Sequence, residues 1–211
     1  MSINLDNLSE LKKHLDNYPQ ANLIAVTKNR SIAEIKQLLK MNINSFGENR
    51  VQEALSKFNQ INDKYEIHLI GPLQTNKVKQ ALNFFDVIQS IDRPKLVDFI
   101  CSIKKKDPNI KTKSFFIQVN IGEEEQKSGI LIKDLPVLYK YCIQKNLKID
   151  GLMCIPPNHK DPSLFFEKMK ILKDSISNKL KLSMGMSQDY RFALKNGADF
   201  IRIGSLIFNE N

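Results

Sequence analysis

Short apolar runs alternate along this chain with stretches whose apolar residues recur every three or four positions. An opening amphipathic helix is predicted over 3–15, with Ile3, Leu8, Leu11 and Leu15 on one side. Strand-like runs follow at 23–28, 44–46, 66–70, 86–90, 115–119, 148–153, 180–184 and 199–203. Helical patterns fill the seven gaps, over 32–41, 49–58, 75–82, 94–106, 132–145, 162–179 and 188–196. Each helix would carry the chain back to begin the next strand alongside the last, which makes the pairing parallel. Eight such units in 211 residues predict closure into a single (β/α)8 barrel. A doubly wound open sheet is the alternative, but it usually has fewer strands, and no G-x-G-x-x-G or P-loop pattern occurs. Only eight residues follow Ile203, so the eighth helix is stunted and the N-terminal helix is expected to cover its place. No repeat, linker or shift of composition marks a second domain. The expectation is one domain over 1–211.

Composition changes this picture little. With 42% hydrophobic and 26% charged residues, the chain reads as an ordinary globular domain. No run approaches the roughly 18 apolar residues of a membrane span, and the first residues lack the basic and apolar segments of a signal peptide. Cys101, Cys142 and Cys154 are widely spaced and odd in number, which predicts neither disulfides nor a zinc site and fits a reducing cytoplasm. His14, His68 and His159 are too scattered for a metal site. The net charge of +9 would invite nucleic acid, yet 27 of the 32 basic residues are lysine and none is interleaved with aromatics as a nucleic-acid motif. We therefore expect no nucleic-acid partner and no membrane association. The dense run at Lys104, Lys105 and Lys106 precedes Asp107-Pro108 and reads as a solvated helix end and turn.

Candidate chemistry follows from the barrel rule that function sits at the C-terminal ends of strands. Ser183-Met184-Gly185-Met186-Ser187 after the seventh strand and Gly204-Ser205 after the eighth combine hydroxyls, backbone N–H groups and small residues. Barrels commonly bind phosphate at that corner. Lys28 ends the apolar run Leu23–Val26 and would project into the mouth, where desolvation could make its amine a nucleophile for a carbonyl. A Schiff-base lysine opposite a phosphate cup suits pyridoxal phosphate or a phosphorylated aldose. Arg202, one of only five arginines, stands at a strand end where it could face a pyridine nitrogen or a carboxylate.

Six ordered motifs then carry a resemblance. They are Ala25-Val26-Thr27-Lys28; Phe46-Gly47-Glu48-Asn49 with Val51-Gln52-Glu53; His68-Leu69-Ile70-Gly71-Pro72-Leu73-Gln74-Thr75-Asn76-Lys77; Gly151-Leu152-Met153; Leu182-Ser183-Met184-Gly185-Met186-Ser187; and Arg202-Ile203-Gly204. Together they resemble the YggS/PROSC family of pyridoxal phosphate homeostasis proteins, from about residue 22 to 208. The resemblance implies a fold type III barrel, similar to the barrel domain of alanine racemase without its β domain. It further implies that Lys28 holds pyridoxal 5'-phosphate as an internal aldimine. Ser183, Gly204 and Ser205 would hold the phosphate, with Met184 and Gly185 shaping the loop. Arg202 would lie near the pyridine nitrogen, Asn49 near the ring substituents and Met153 against the ring face. Glu48 and Gln52 are expected to organise the second loop, while His68, Gln74 and Asn76 match motif positions without an assigned role. Arg50 replaces a commonly aromatic residue at the cleft rim. Lys127 reads as a solvated loop lysine near the mouth, with a second aldehyde-trapping amine as the alternative. The tail Asn209-Glu210-Asn211 has no basic ending, which puts a second cofactor site built from basic C-terminal residues in doubt.

An arginine does not readily give its proton to a pyridine nitrogen, so the ring would be a weak electron sink. With no lid predicted, the substrate face would stay open to water. The expected function is a non-catalytic carrier that buffers pyridoxal phosphate or delivers it to apoenzymes. A racemase-like enzyme acting on amino acids is the alternative. No catalytic residue and no metal are assigned, and a monomer is expected.

Overall fold

The computed structural model describes residues 3–158 and 160–208. His159 and the tail at 209–211, both singled out in the sequence, lie outside the described residues. Strands β1 (Asn22–Val26), β2 (Ser45–Glu48), β3 (Glu66–Leu69), β4 (Val87–Ile91), β5 (Ser114–Val119), β6 (Gly151–Cys154), β7 (Lys181–Ser183) and β8 (Phe200–Ile203) pair in chain order as a closed parallel barrel. The β1–β8 pairing that closes it sets Ile24 beside Arg202 and Ala25 beside Ile203.

Helices wrap the outside. They are α1 (Leu5–Leu15), α2 (Ile32–Lys40), α3 (Val51–Phe58), α4 (Val78–Phe84), α5 (Pro94–Lys106), α6 (Leu135–Gln144), α7 (Pro162–Ile176) and α8 (Tyr190–Lys195). Local chemistry sets their starts. Ser31 and Glu34 form a reciprocal capping box at the head of α2, and Asp161 followed by Pro162 starts α7. Each strand turns alternate side chains toward the helices, where Phe46, Ile67, Ile88, Phe115, Leu152 and Ile201 build the main core. A smaller cluster of Val87, Phe116 and Met153, with Phe200 against it, fills the barrel interior near its N-terminal end.

The expected N-terminal cover is present. Asn4 N–H donates to Ile207 O, Asn7 Nδ2 donates to Leu206 O, and Ile3 bridges Phe208, so α1 occupies the place of an eighth βα helix. Several predicted helices begin later or end earlier than their periodicity suggests. The stretches Thr75–Lys77 and Ile132–Asp134 are 3-10 turns leading into α4 and α6. α3 starts after an extended Arg50, leaving Asn49 in the preceding loop, and α7 stops where Ser177 turns extended. Conversely β2 runs on to Glu48, because that carboxylate is buried rather than solvated. Among the described residues, no helix is long and apolar enough to cross a membrane.

Candidate functional site

A cleft of about 830 Å³ opens at the C-terminal end of the barrel, within the size range of small-molecule sites. The loops after β1, β6, β7 and β8 supply its walls, and Lys28, Arg202, Ser187, Gly204 and Ser205 all line it.

Lys28 sits two residues past β1, between two clamped neighbours. Lys57, from α3, sends its ammonium to Thr27 O at 2.8 Å, to Glu48 Oε1 at 2.6 Å and to Glu53 Oε1 at 2.8 Å. Thr27 Oγ1 donates to Glu48 Oε1 at 2.6 Å, and Glu53 Oε1 accepts the Asn29 N–H at 2.6 Å. Asn29 has φ 59, a left-handed conformation that asparagine tolerates better than most residues. Burial pushes the Glu48 carboxyl above its ordinary range, against the opposing pull of Lys57 and Thr27. Burial also acts upward on Glu53, but hydrogen bonds from Lys57 and from the Asn29 backbone hold it below the usual range. The expectation of a desolvated Lys28 is not met: the residue is exposed at the cleft mouth, with its backbone rather than its amine fixed. Glu48 likewise reaches back to β1 instead of organising the second loop. Gln52 is exposed on α3 beside Gln80.

Arg202 is 3% exposed, yet it closes no ion pair within 4 Å among the described residues. Nη1 donates to Ser183 Oγ at 2.9 Å and Nη2 to Cys154 O at 2.7 Å. Burial lowers its pKa, opposed by Cys154 and Asp189. A buried cation held only by neutral acceptors, on the wall of a cleft, retains capacity for a further acceptor or anion.

Beneath Arg202 a hydrogen-bonded chain crosses the barrel interior. Ser183 Oγ donates to Gln89 Oε1 at 2.6 Å, and Gln89 Nε2 lies 3.0 Å from His68 Nδ1. His68 Nε2 lies 3.0 Å from Glu66 Oε2 and 3.2 Å from Ser45 Oγ. The direction is dictated from the top. A guanidinium can only donate, so Ser183 accepts from it and donates to Gln89; the Gln89 amide then donates to Nδ1, and the imidazole proton falls on Nε2.

This geometry corrects one phosphate assignment. Ser183 is fully buried with its hydroxyl engaged on both sides, so it supports Arg202 instead of facing the cleft. Ser187, four residues on, does line the cleft, and its Oγ accepts the N–H groups of Gly204 and Leu206 at 3.3 Å each. Gly204 and Ser205 line the cleft. Gly185, at φ 94, lets the β7 loop turn, and a Cβ there would lie 2.5 Å from the Ala193 Cβ. Its carbonyl accepts the Arg202 N–H at 2.9 Å. Met184 is buried outward in the main core, and Met153 packs on Phe116 inside the barrel; neither lines the cleft. Asn49 is half-buried in the β2 loop, and a Cβ on Gly71 would come within 2.2 Å of its carbonyl oxygen, so that glycine permits the approach. Asn49 is not part of the cleft wall, nor is Arg50.

Of the motif residues without a role, His68 belongs to the interior chain, while Gln74 and Asn76 are exposed. Lys127 is neither free nor simply solvated: it pairs with Glu124 at 2.6 Å and donates to Pro156 O at 3.0 Å, tying the β5 loop to the β6 loop. Lys57 and Gln89 are functional candidates that sequence reasoning passed over, while Ser187 stood in the quoted loop without a role of its own. The i,i+4 spacing of Glu53 and Lys57 was the available signal for the first. Burial pushes the Cys142 and Cys154 thiols up to about 12, which suits structural cysteines. Among the described residues no group of three or more His, Cys, Asp or Glu is arranged to hold a metal ion.

A closed parallel barrel gathering a lysine, a buried arginine and two glycine–serine loops at one mouth belongs to the class built on the alanine racemase barrel. The family model described as "Alanine racemase, N-terminal domain" matches residues 4–211. A pyridoxal phosphate homeostasis protein of Aquifex aeolicus is 38% identical over 200 residues, covering 90% of this chain and 87% of the relative. One from Helicobacter pylori is 36% identical over 199 residues, covering 89% and 87%. The chain belongs to the family of pyridoxal phosphate homeostasis proteins. The structure of PipY from Synechococcus elongatus with PLP bound superposes with TM-score 0.85 at 30% identity, covering 97% of this chain and 99% of that one. Alanine racemase of Clostridium difficile shares the fold, with TM-score 0.76 at 13% identity over all of this chain and 58% of that one.

Proposed function

We propose that this protein binds pyridoxal 5'-phosphate in the C-terminal cleft and serves its homeostasis, holding the cofactor and releasing it to apoenzymes. The carrying observation is the placement of Lys28 and a buried Arg202 without an ion pair on one cleft whose far wall is Ser187, Gly204 and Ser205. These residues fit the group. Arg202 has room for one more acceptor, the Gly204–Ser205 turn and Ser187 suit a phosphate, and Lys28 supplies a primary amine. When bound, pyridoxal phosphate supplies an aldehyde that condenses reversibly with such an amine. Lys57, through Thr27 O and through Glu53 on Asn29 N–H, fixes the backbone on both sides of Lys28 and so aims it. Ser183, Gln89 and Cys154 O keep the Arg202 guanidinium pointed, and an arginine, which holds its proton, would leave a pyridine nitrogen set against it unprotonated.

The same features favour a carrier over an amino-acid enzyme. Proton transfer at a substrate carbon needs a second, positioned acid or base. Among the described residues, the cleft wall holds no Tyr, His or Glu; its one carboxylate, Asp189, accepts the Met186 N–H at 2.5 Å, and its other amine, Lys160, is exposed and has no partner that positions it. Arg202 further weakens the ring as an electron sink. The buried thiols of Cys142 and Cys154, which burial keeps protonated, fit a cytoplasmic setting.

The test is the absorption spectrum of the purified protein with added pyridoxal phosphate, beside Lys28→Ala. A visible band in the parent that the variant loses, with the borohydride-reduced adduct mapped to Lys28, is the expected result. No band in the parent overturns the cofactor assignment. Exchange of the Cα proton with turnover on a panel of amino acids overturns the carrier reading in favour of a racemase-like enzyme.

A further inference from the structure

The opposite end of the barrel carries a second cleft, of about 590 Å³, that shares no lining residue with the first. Barrel ends at the N-terminal face are ordinarily given over to stability. Here the first residues of five strands, Glu66, Val87, Ser114, Lys181 and Phe200, open onto a depression instead. Its floor is apolar and aromatic: Phe116 and Phe200 meet edge-on with ring centroids 5.8 Å apart, against Val87.

Its rim is cationic: Lys113, Lys148, Lys179 and Lys181 stand against two carboxylates, one of which, Glu66, feels the charge of Lys181. Glu66 Oε2 is held by His68, and Asp150 takes Lys148 at 2.7 Å, the Ser114 hydroxyl at 2.9 Å and the Phe115 N–H at 3.3 Å. Lys113, Lys179 and Lys181 are exposed on the rim, and none of them closes an ion pair within 4 Å among the described residues. Lys181 lies 5.6 Å above the Phe200 ring. The Ser177 hydroxyl accepts the Lys179 N–H at 3.3 Å, leaving its own proton to donate.

We propose that this cleft is a second ligand site, taking a small planar phosphomonoester. Phe200, the partly exposed ring of this floor, offers apolar surface for the ligand ring to lie against. Three lysines and one hydroxyl donor meet a group that carries roughly −1.5 to −2 charges at neutral pH, for which lysine acts as a point-charge partner. A carboxylate of equal size would satisfy one lysine; a phosphate can engage two or three.

Phenyl phosphate tests this without any aldehyde chemistry. Isotope-labelled protein is titrated at physiological ionic strength while the backbone amide resonances are followed, because they report position. Binding at this cleft moves the amides of 113–116, 148–150 and 177–181 along one saturating curve, separately from movements in the 185–187 and 203–206 loops. The double variant Lys179→Ala/Lys181→Ala, both exposed and not part of the core, weakens the first curve at least about tenfold and leaves the second unchanged. Inorganic phosphate, lacking the ring, binds this cleft at least about tenfold more weakly than phenyl phosphate. The proposal is overturned by any of three results: no saturation at the N-terminal face, equal response to inorganic phosphate, or an unchanged curve in the double variant. Because the two sets of amides are read independently, failure here leaves the reading of the Lys28 cleft intact, and failure there leaves this one.

Discussion

Replacing Lys57 by methionine removes the ammonium that links both backbone neighbours of Lys28, while keeping most of the side-chain volume. The side chains of Lys57 and Glu48 are 10% and 0% exposed, so solvent screens this pair little. In the variant, Glu48 keeps only the Thr27 hydroxyl, one of its oxygens already lacks a partner, and the Thr27 carbonyl is left with the Arg30 N–H alone. Removing one member of a buried pair costs about 3–5 kcal/mol, and that is the loss expected at neutral pH. Glu48→Gln alone should cost about 1–2 kcal/mol, since Lys57 retains Glu53 and Thr27 O. Combining the two should recover part of the Lys57→Met loss, because no buried carboxylate is then stranded. The pH dependence has a definite sign. Glu48 titrates above its unfolded value, and without the cation it rises further. A group raised in the folded state stabilises below its unfolded pKa, and that contribution is lost as pH rises through the folded value. The Lys57→Met deficit should therefore shrink as pH falls from about 8 to about 5. Urea unfolding followed by circular dichroism measures it; with a slope of about 2–3 kcal/mol/M, the neutral-pH midpoint falls by about 1–2 M. A loss under about 1 kcal/mol, or a deficit that grows on acidification, would refute the clamp.

Three further outcomes follow from the same geometry. Gln89→Leu strands His68 Nδ1 and the Ser183 hydroxyl, which should cost about 2–5 kcal/mol in urea unfolding and, by loosening Arg202, move the absorption maximum of the cofactor-loaded protein. An unmoved maximum would detach the interior chain from the cleft. Gly185→Ala combines φ 94 with a Cβ 2.5 Å from that of Ala193, so a loss of about 2–4 kcal/mol and weaker cofactor retention on gel filtration are expected; parent-like behaviour would show that the loop has slack. A thiol reagent at neutral pH should label half-exposed Cys101 first and leave Cys142 and Cys154, both near 12, until the protein unfolds, as read by mass spectrometry. Labelling of Cys154 in the native protein would contradict its burial.

The sequence alone determined the order and number of elements. Strand runs rich in Ile, Leu, Val and Phe alternate with stretches of helical period, and parallel pairing follows from that alternation. Lys28, Arg202, Gly204 and Ser205 were legible for a related reason: the C-terminal end of a barrel strand is a sequence position, and the fold class says what such positions face. Element ends were less legible. Whether Thr75–Lys77 opens as a 3-10 turn, or whether Glu48 extends β2, depends on hydrogen bonds to partners far along the chain.

Tertiary structure alone decided what lies opposite what. A period of two tells which side of a strand a residue occupies, but a closed barrel places residues 94 apart, such as Gln89 and Ser183, in direct contact across its interior. Hence Ser183, expected at the phosphate, and Ser187, quoted in the same motif, separate into a buried support for Arg202 and a hydroxyl on the cleft wall. Hence also Met153 packs on Phe116 rather than lining the cleft, and Lys57, one of 27 lysines, becomes the clamp behind Lys28. The pattern of a chain records the environment each side chain needs. Closure of the barrel selects which distant groups supply it, since only closure brings the two edge strands together.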